Sequence, residues 1–576
     1  MVSKIISRAL GVPLTLLLIA MNSDNPDRGL FISPVRIPIL LSANFAEIRS
    51  DHFHSGIDIR TQGVTGHEIV AAASGYVYRI GVSPGGFGKA LYLRHPSGYS
   101  TVYAHLDRFI PEIEEYVTGQ QYQNRSFAVN LFPPEGRFVF RQGQLIAFSG
   151  NTGSSSGPHL HYEIRKSDNE MPLDPLKFEF GVKDNIKPLI ESLVVYPMDK
   201  TTAVNGKNED ILLAAQGSHG SFYIRSDRPI TVSGRAGFGI RTHDYLNDSW
   251  NKCGVYSIEM MVDGQTIYHF EMDRFSFDET RYVNSHIDYK RKVRDNVTIQ
   301  QTFAAPNDKL SAYKTLVNRG VFDFRTDTTH TIRIVVTDSH LNSSALVFRV
   351  QSQSDGHMPE QAGSNNTRLL QYNRQYRMAD GDISVSIPEN SFYDNIEFKF
   401  SRSERPESLY ADIFTIMDRF TPIHKAYKLS VKPVSIPEGL KGRMAIVSLN
   451  GNGRPSYVGG EWSGDFLAAD LRSFGSFSVG IDTVPPEIVT NGFTSGTDLT
   501  GRRELRFNIS DDFSGIKSYE AFIDEKWALF EYDPKNSVIV HRFDPKRTEK
   551  GKMHTLLLRV TDNRNNVAEF SAEFRW

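Results

Sequence analysis

The chain has 576 residues, and its 65 Lys plus Arg against 67 Asp plus Glu give a formal net charge of -2. That balance argues against a nucleic-acid partner held by bulk charge. A hydrophobic content of 39% excludes a disordered chain, and the single cysteine, Cys253, excludes an intrachain disulfide, cysteine-ligated zinc and an iron–sulfur cluster.

The N-terminus reads as a secretory signal. Lys4 and Arg8 precede an uncharged run from Ala9 to Ser23 that begins ALGVPLTLLLIA. The run is shorter than the roughly 20 residues a membrane span takes. Residues 1–23 are therefore expected to direct export, with cleavage after Ala20; an uncleaved anchor is the alternative. No cysteine follows the apolar run, and no transmembrane span is expected in the mature chain.

Residues 30–183 alternate short strand patterns with glycine turns: EIVAAASGYVYRIGV at 68–82, ALYLRH at 90–95, STVYAHL at 100–106 and QLIAFSG at 144–150. Period-two alternation broken by glycine is a strand signal, and no segment here shows a sustained 3.6-residue stripe. The unit is expected to be almost all β, with residues 118–140 inserted between two strands.

An internal repeat organises the rest of the chain. His330 and His554 each precede an Asp by eight residues, and that Asp precedes an Asn by four: Asp338 with Asn342, Asp562 with Asn566. The starts match as well, since Asp184 and Asp482 both precede a Pro by four residues and an Ile by six. Residues 184–350 and 482–576 are therefore expected to be immunoglobulin-like β-sandwiches, the first carrying insertions. Between them, 351–367 reads as a linker and 368–481 as a further β-rich domain. The overall class is all-β. The Asp/Asn pairs are expected to shape turns rather than bind calcium, which takes 6–8 oxygens.

Five residues within 54–161 carry chemistry: His54 and Asp58 in HSGID, His105 in YAHL, and His159 and His161 in GPHLHYE. On a strand, residues i and i+2 share a face, so His159 and His161 look into one cleft. A catalytic zinc uses three protein ligands and keeps a position for water. His54, Asp58 and one histidine of the pair supply two nitrogens and one oxygen, which leaves the other histidines for proton transfer. Glu163 shares the His161 face and suits an orienting role. His52 and His95 are expected either to support the ligands from behind or to be structural. His67-Glu68 does not continue into H-E-x-x-H, because position 71 is Ala, and PGGFGKA at 84–90 lacks phosphate-loop spacing and reads as a hairpin turn.

At these residues the chain resembles the lysostaphin-type or LytM-type zinc metalloendopeptidases that cut peptidoglycan. The resemblance covers about residues 35–180 and rests on His54-x-x-x-Asp58, Tyr103-Ala104-His105-Leu106, and Gly150-Asn151-Thr152-Gly153 leading to His159-Leu160-His161. It implies an antiparallel β catalytic domain in which His54, Asp58 and His161 hold one zinc. It also implies that His105 and His159 act around the water and the scissile carbonyl, with either one as the base.

The function expected is hydrolysis of peptide crosslinks in peptidoglycan, in the periplasm, the cell envelope or outside the cell. The β domains would contact the wall, an envelope protein partner or the cleft itself, and residues 184–576 are expected to carry no catalytic chemistry. The rival is a catalytically silent binding or activator module of the envelope.

Overall fold

The structure, a computed structural model, describes residues 29–179, 181–226, 228–354 and 368–576. The expected signal peptide, and all of the expected linker beyond residue 354, lie outside the described residues. Among the described residues, no helix is long and apolar enough to cross a membrane.

The N-terminal unit is built on one antiparallel sheet. Its strands are β1 (Leu41–Ala43), β2 (Ile57–Arg60), β4 (Gly75–Val82), β5 (Lys89–Arg94), β6 (Tyr99–Leu106), β8 (Val129–Leu131) and β11 (His159–Lys166), in the order β1-β2-β11-β6-β5-β4-β8. A short strand β9 (Val139–Phe140) joins β4 at its edge. A small second sheet joins β3 (Glu68–Val70), β10 (Leu145–Phe148) and β7 (Arg108–Phe109). Alternation along β11 decides what each face does. Leu160, Tyr162 and Ile164 enter the core with Ile57 and Ile59 of β2 and Tyr103 of β6. Each such buried side chain contributes roughly 1.5–3 kcal/mol. The opposite face of β11 is left with His159, His161, Glu163 and Arg165.

One element departs from the sequence expectation. Pro111–Asn124 is a helix, α1, and it runs into the segment that the sequence marks as an insertion between strands. Proline at its first turn and Arg125 in a left-handed conformation bound it. Only Ile113, Val117 and Gln121 are buried, a single row at i, i+4 and i+8, too narrow for a visible helical stripe. Residues 118–140, between β7 and β10, therefore comprise the end of this helix, β8, a turn and β9.

The block at 184–350 also differs from a simple sandwich. It forms one twelve-stranded sheet, because the long strand Ile230–His243 pairs antiparallel with Leu189–Pro197 and parallel with Ser343–Ser352. The sheet thus curls over its own core. Residues 368–481 contain two five-stranded sheets and a two-stranded ribbon, and 482–576 is a sandwich of a four-stranded and a five-stranded sheet.

The cores interlock across the chain. Phe45 and Phe53 belong to the core of the twelve-stranded unit, where both rings contact Phe275, at 5.4 and 5.8 Å. Conversely, Leu246 and Cys253 complete the core of the N-terminal unit. Asn44 ties the two together, donating to the Gly254 carbonyl at 2.9 Å and accepting from the Gly254 amide at 2.8 Å. The C-terminal sandwich folds back to α1: the Trp527 ring meets Tyr122 edge-on at 5.2 Å, and the Arg547 guanidinium lies over Tyr122 at 3.5 Å.

Candidate metal centre and catalytic face

Three side chains converge at one end of the β2–β11 pair. Asp58 and His161 are opposite one another in the ladder, and His54 enters from the preceding loop. His54 Nε2 lies 3.1 Å from Asp58 Oδ1 and 3.1 Å from His161 Nδ1, while His161 Nδ1 lies 2.9 Å from Asp58 Oδ1. All three are largely shielded from solvent.

The partners of the outer nitrogens fix which lone pairs face inward. His54 Nδ1 donates to the Asn44 carbonyl at 2.7 Å, so Nε2 is the bare nitrogen. His161 Nε2 donates to Glu163 Oε1 at 2.8 Å, so Nδ1 is bare. Two imidazole lone pairs and a carboxylate oxygen thus face one another at about hydrogen-bond distance. Such a set is repulsive unless a proton or a cation sits among them, and its composition is that of a zinc site with an open position. The chemistry of the donors therefore fits zinc.

The electrostatics follow from this packing. Burial opposes a charge on Asp58, yet the surrounding His54, His159 and His161 hold its carboxyl well below the usual range. Burial lowers His54. Burial would lower His161 too, but its bonds to Asp58 and Glu163 push it up to about 9, so with no cation in the set the proton it calls for sits on Nδ1, facing Asp58. Glu163 is fully buried, and despite that burial Arg165 and His161 bring it down to about 2. Its Oε1 also accepts from Ser55 Oγ, and its Oε2 accepts from Arg165 Nε at 2.5 Å.

His159 and His105 stand beside this set. His159 Nδ1 donates to the Gly157 carbonyl at 2.8 Å, and Nε2 lies 3.5 Å from Asp58 Oδ1. His105 Nδ1 donates to the Thr152 carbonyl at 2.8 Å, which leaves Nε2 free to accept a proton. Burial, reinforced by His161 and His159, lowers His105 to about 3. It is therefore a neutral imidazole at neutral pH.

The placement of His105 needs a backbone device. Tyr103 and Leu106 both enter the core, and Ala104 lies opposite His161. Strict alternation would send His105 to the core face with Tyr103. Instead His105 takes a left-handed φ of 59°, next to a bulge between β5 and β6 at Lys89/Leu91. Bulges re-aim side chains in this way. The loop that supplies the Thr152 carbonyl is held by an interlock of glycines: a Cβ on Gly153 would lie 2.3 Å from the Gly88 nitrogen, and one on Gly88 2.3 Å from Thr152 Oγ1.

The structure brings all five residues singled out in the sequence to this face, with Glu163 beneath His161. His52 is instead a half-exposed partner of Asp51, and His95 is bonded to the Ser74 carbonyl and to Thr101 Oγ1. Four supporting residues are not singled out in the sequence, although Thr152 lies within the Gly150–Gly153 motif. Asn44 and Thr152 act through backbone carbonyls, and Arg49 reaches Asp58 Oδ2 at 3.3 Å from a loop. Arg165 has a sequence signal as well, its place on the His161–Glu163 face by alternation.

Comparison with known proteins agrees with this geometry. Residues 52–123 and 123–175 match the model of peptidase family M23, and residues 367–482 match that of the Zu5-like domain. An uncharacterized metalloprotease of Haemophilus influenzae is 34% identical over 111 residues, which are 19% of this chain and 18% of that protein. The DD-carboxypeptidase/endopeptidase Mpg of Neisseria meningitidis is 35% identical over 123 residues, 21% of this chain and 22% of that protein. The murein hydrolase activator NlpD of Escherichia coli is 30% identical over 129 residues, 22% of this chain and 27% of that protein. Among solved structures, the catalytic domain of lysostaphin from Staphylococcus simulans is 23% identical, covering 24% of this chain and 91% of that one with a TM-score of 0.19. The chain thus spans about a fifth of the length of the first curated relatives it matches. Residues 52–175 form a peptidase family M23 domain, similar in sequence to parts of Mpg and NlpD.

Proposed function

We propose that the protein is an exported zinc metalloendopeptidase that hydrolyses peptide crosslinks of bacterial peptidoglycan in the cell envelope. The observation that carries this reading is the convergence of His54, Asp58 and His161 beside His105, whose Nε2 is bare, and His159, whose Nε2 lies 3.5 Å from Asp58 Oδ1. His54, Asp58 and His161 are the ligands in this reading. Zinc held there supplies Lewis acidity and a water of lowered pKa.

The chain's own residues supply the rest. Neutral His105 accepts the proton of the attacking water at Nε2, with its ring held by the Thr152 carbonyl. His159, held by the Gly157 carbonyl, faces the scissile group from the other side and serves the oxyanion or the leaving amine. Glu163 keeps the His161 proton on Nε2. The complete set of five residues favours hydrolysis over a catalytically silent binding or activator role.

The test is incubation of the full chain with isolated peptidoglycan, scoring new amino termini. Release that stops on chelation and returns with zinc is expected. Absence of release from zinc-loaded protein would leave the activator reading.

A further inference from the structure

The C-terminal sandwich carries a second cluster of ligand-type side chains, far in sequence from the peptidase face. Asp482, Asp511 and Asp562 each bring a carboxylate oxygen within 4.8 Å of the others. They come from three places in the sandwich. Asp482 is its first residue, Asp511 directly follows the strand Glu504–Ser510, and Asp562 ends the strand Met553–Asp562.

Turn formation accounts for part of this cluster. Asp562 Oδ1 accepts from the Arg564 and Asn566 amides at 2.7 and 2.8 Å, and Oδ2 accepts from Asn566 Nδ2 at 2.7 Å. Asp482 Oδ1 accepts from the Val484 amide at 3.2 Å, and Asp511 Oδ2 from the Gly515 amide at 2.7 Å. The remaining oxygens are not accounted for. Asp482 Oδ2 and Asp511 Oδ1 are buried with no hydrogen-bond partner. The Ser514 hydroxyl, only 4% exposed, has no hydrogen bond of good geometry, and its one near partner is the Asp482 carboxyl of the cluster itself, which it lowers against burial. Asp482 itself is 3% exposed.

Leaving several buried polar oxygens unpaired costs about 1–3 kcal/mol each, more for charged groups. Among the described residues, none of the three carboxylates makes a salt bridge. Arg564, the nearest arginine in sequence to Asp562, turns its guanidinium away to the Met444 carbonyl at 2.9 Å and to Tyr457 Oη at 3.0 Å. Burial raises the Asp482 carboxyl, and the Asp511 and Asp562 charges add to that rise.

The same arrangement recurs in the twelve-stranded unit, which makes a chance defect an unattractive explanation. Asp184 takes the place of Asp482, and Asp338 with Asn342 that of Asp562 with Asn566, down to the bond from the asparagine Nδ2 to the carbonyl of the first aspartate, at 3.3 and 3.2 Å. Asp244 follows the strand Ile230–His243 as Asp511 follows its strand. Asp184 Oδ2 and Asp244 Oδ1 are again buried with no hydrogen bond of good geometry, although His340 Nδ1 lies 3.8 Å from Asp184 Oδ2. The ligand-type group there is completed by His340 rather than by Asp244, so its donor set differs.

We propose that the C-terminal sandwich binds a calcium ion between Asp482, Asp511, Asp562 and the Ser514 hydroxyl. The donors are all hard oxygens, which selects against zinc and copper and for calcium, with waters completing the 6–8 positions it takes. The site lies at a domain junction. The Asp482 amide donates to the Arg443 carbonyl at 3.0 Å, and Arg443 Nη1 donates to the Arg564 carbonyl at 2.6 Å. The ion therefore locks the sandwich that reaches α1 onto the domain before it.

The experiment is calcium titration of the full chain, first freed of calcium and then loaded with zinc, by calorimetry and by melting. Wild type is expected to bind with an affinity around 10⁻⁴–10⁻³ M, the range of extracellular calcium modules, and to melt at higher temperature with calcium present. The paired change Asp482→Asn with Asp511→Asn is expected to remove one bound ion per chain and leave zinc content unchanged. Ser514→Ala, a smaller change that keeps the fold, is expected to weaken binding several-fold. No calcium binding by wild type, or binding untouched by both variants, overturns the proposal; the carboxylates would then be holding protons instead.

Discussion

The His105 and His159 rings face each other with their centroids 4.8 Å apart, although strand alternation alone would put His105 on the opposite side of the sheet. The left-handed turn at His105 brings the two together beside Asp58. In the proposed function, this pair is what adds hydrolysis to metal binding.

His105→Ala and His159→Ala are therefore expected to keep zinc and lose turnover by roughly 10²–10⁴, the scale of a positioned proton-transfer group. Zinc content and the rate on a soluble peptide, measured on the same preparation, check this. Loss of metal in either variant would move that residue into the ligand set.

Glu163 acts through His161. Glu163→Gln keeps the shape but not the charge that binds the His161 and Arg165 N–H groups, so zinc affinity is expected to fall by about 10–100-fold. Glu163→Ala also leaves buried Arg165 without its main counter-charge and is expected to cost about 3–5 kcal/mol in stability. Zinc competition with a chelator reads the first effect and denaturant melting the second.

The interlocked cores set what folds alone. A fragment of residues 30–183 uncovers Phe45 and Phe53 and loses Leu246 and Cys253 from its core. It is expected to aggregate or melt without cooperativity, whereas a fragment of residues 30–354 keeps both cores. Solubility and differential scanning of the two fragments decide it; a cooperative melt of the shorter one would show that these contacts are dispensable.

Much of the catalytic face is legible in the sequence, because its residues lie in short local patterns. His54 and Asp58 are four apart, and His159 and His161 share a strand face by period two. The parts that are not legible depend on backbone conformation and on distant chain. The turn that re-aims His105 is a dihedral event with no residue signature, and the Asn44 and Thr152 carbonyls work through atoms every residue has. The helix at 111–124 buries too thin a row to show periodicity. The curl of the twelve-stranded sheet and the exchange of Phe45, Phe53, Leu246 and Cys253 between cores are long-range packing. The repeat of Asp184 and Asp482 does mark two related units, yet it gives no warning that the first shares its core with the peptidase unit.

Acid should destabilise the chain through buried neutral histidines. Burial brings His286 from 6.5 to about 4, while its ring stacks on Phe270 at 4.3 Å. Between those values the unfolded chain holds the extra proton, so stability falls as pH drops from about 6.5 towards 4. Urea midpoints across this range should decline, and His286→Gln, less stable at pH 7.5, should decline less steeply. Parallel slopes in the two proteins would assign the acid loss to other groups.

The most direct test of the central claim is the metal content of purified full chain, wild type against Asp58→Ala and His161→Ala. With three protein ligands, one zinc per wild-type chain and none in either variant is the result this account predicts. Full zinc occupancy in Asp58→Ala or in His161→Ala would contradict it.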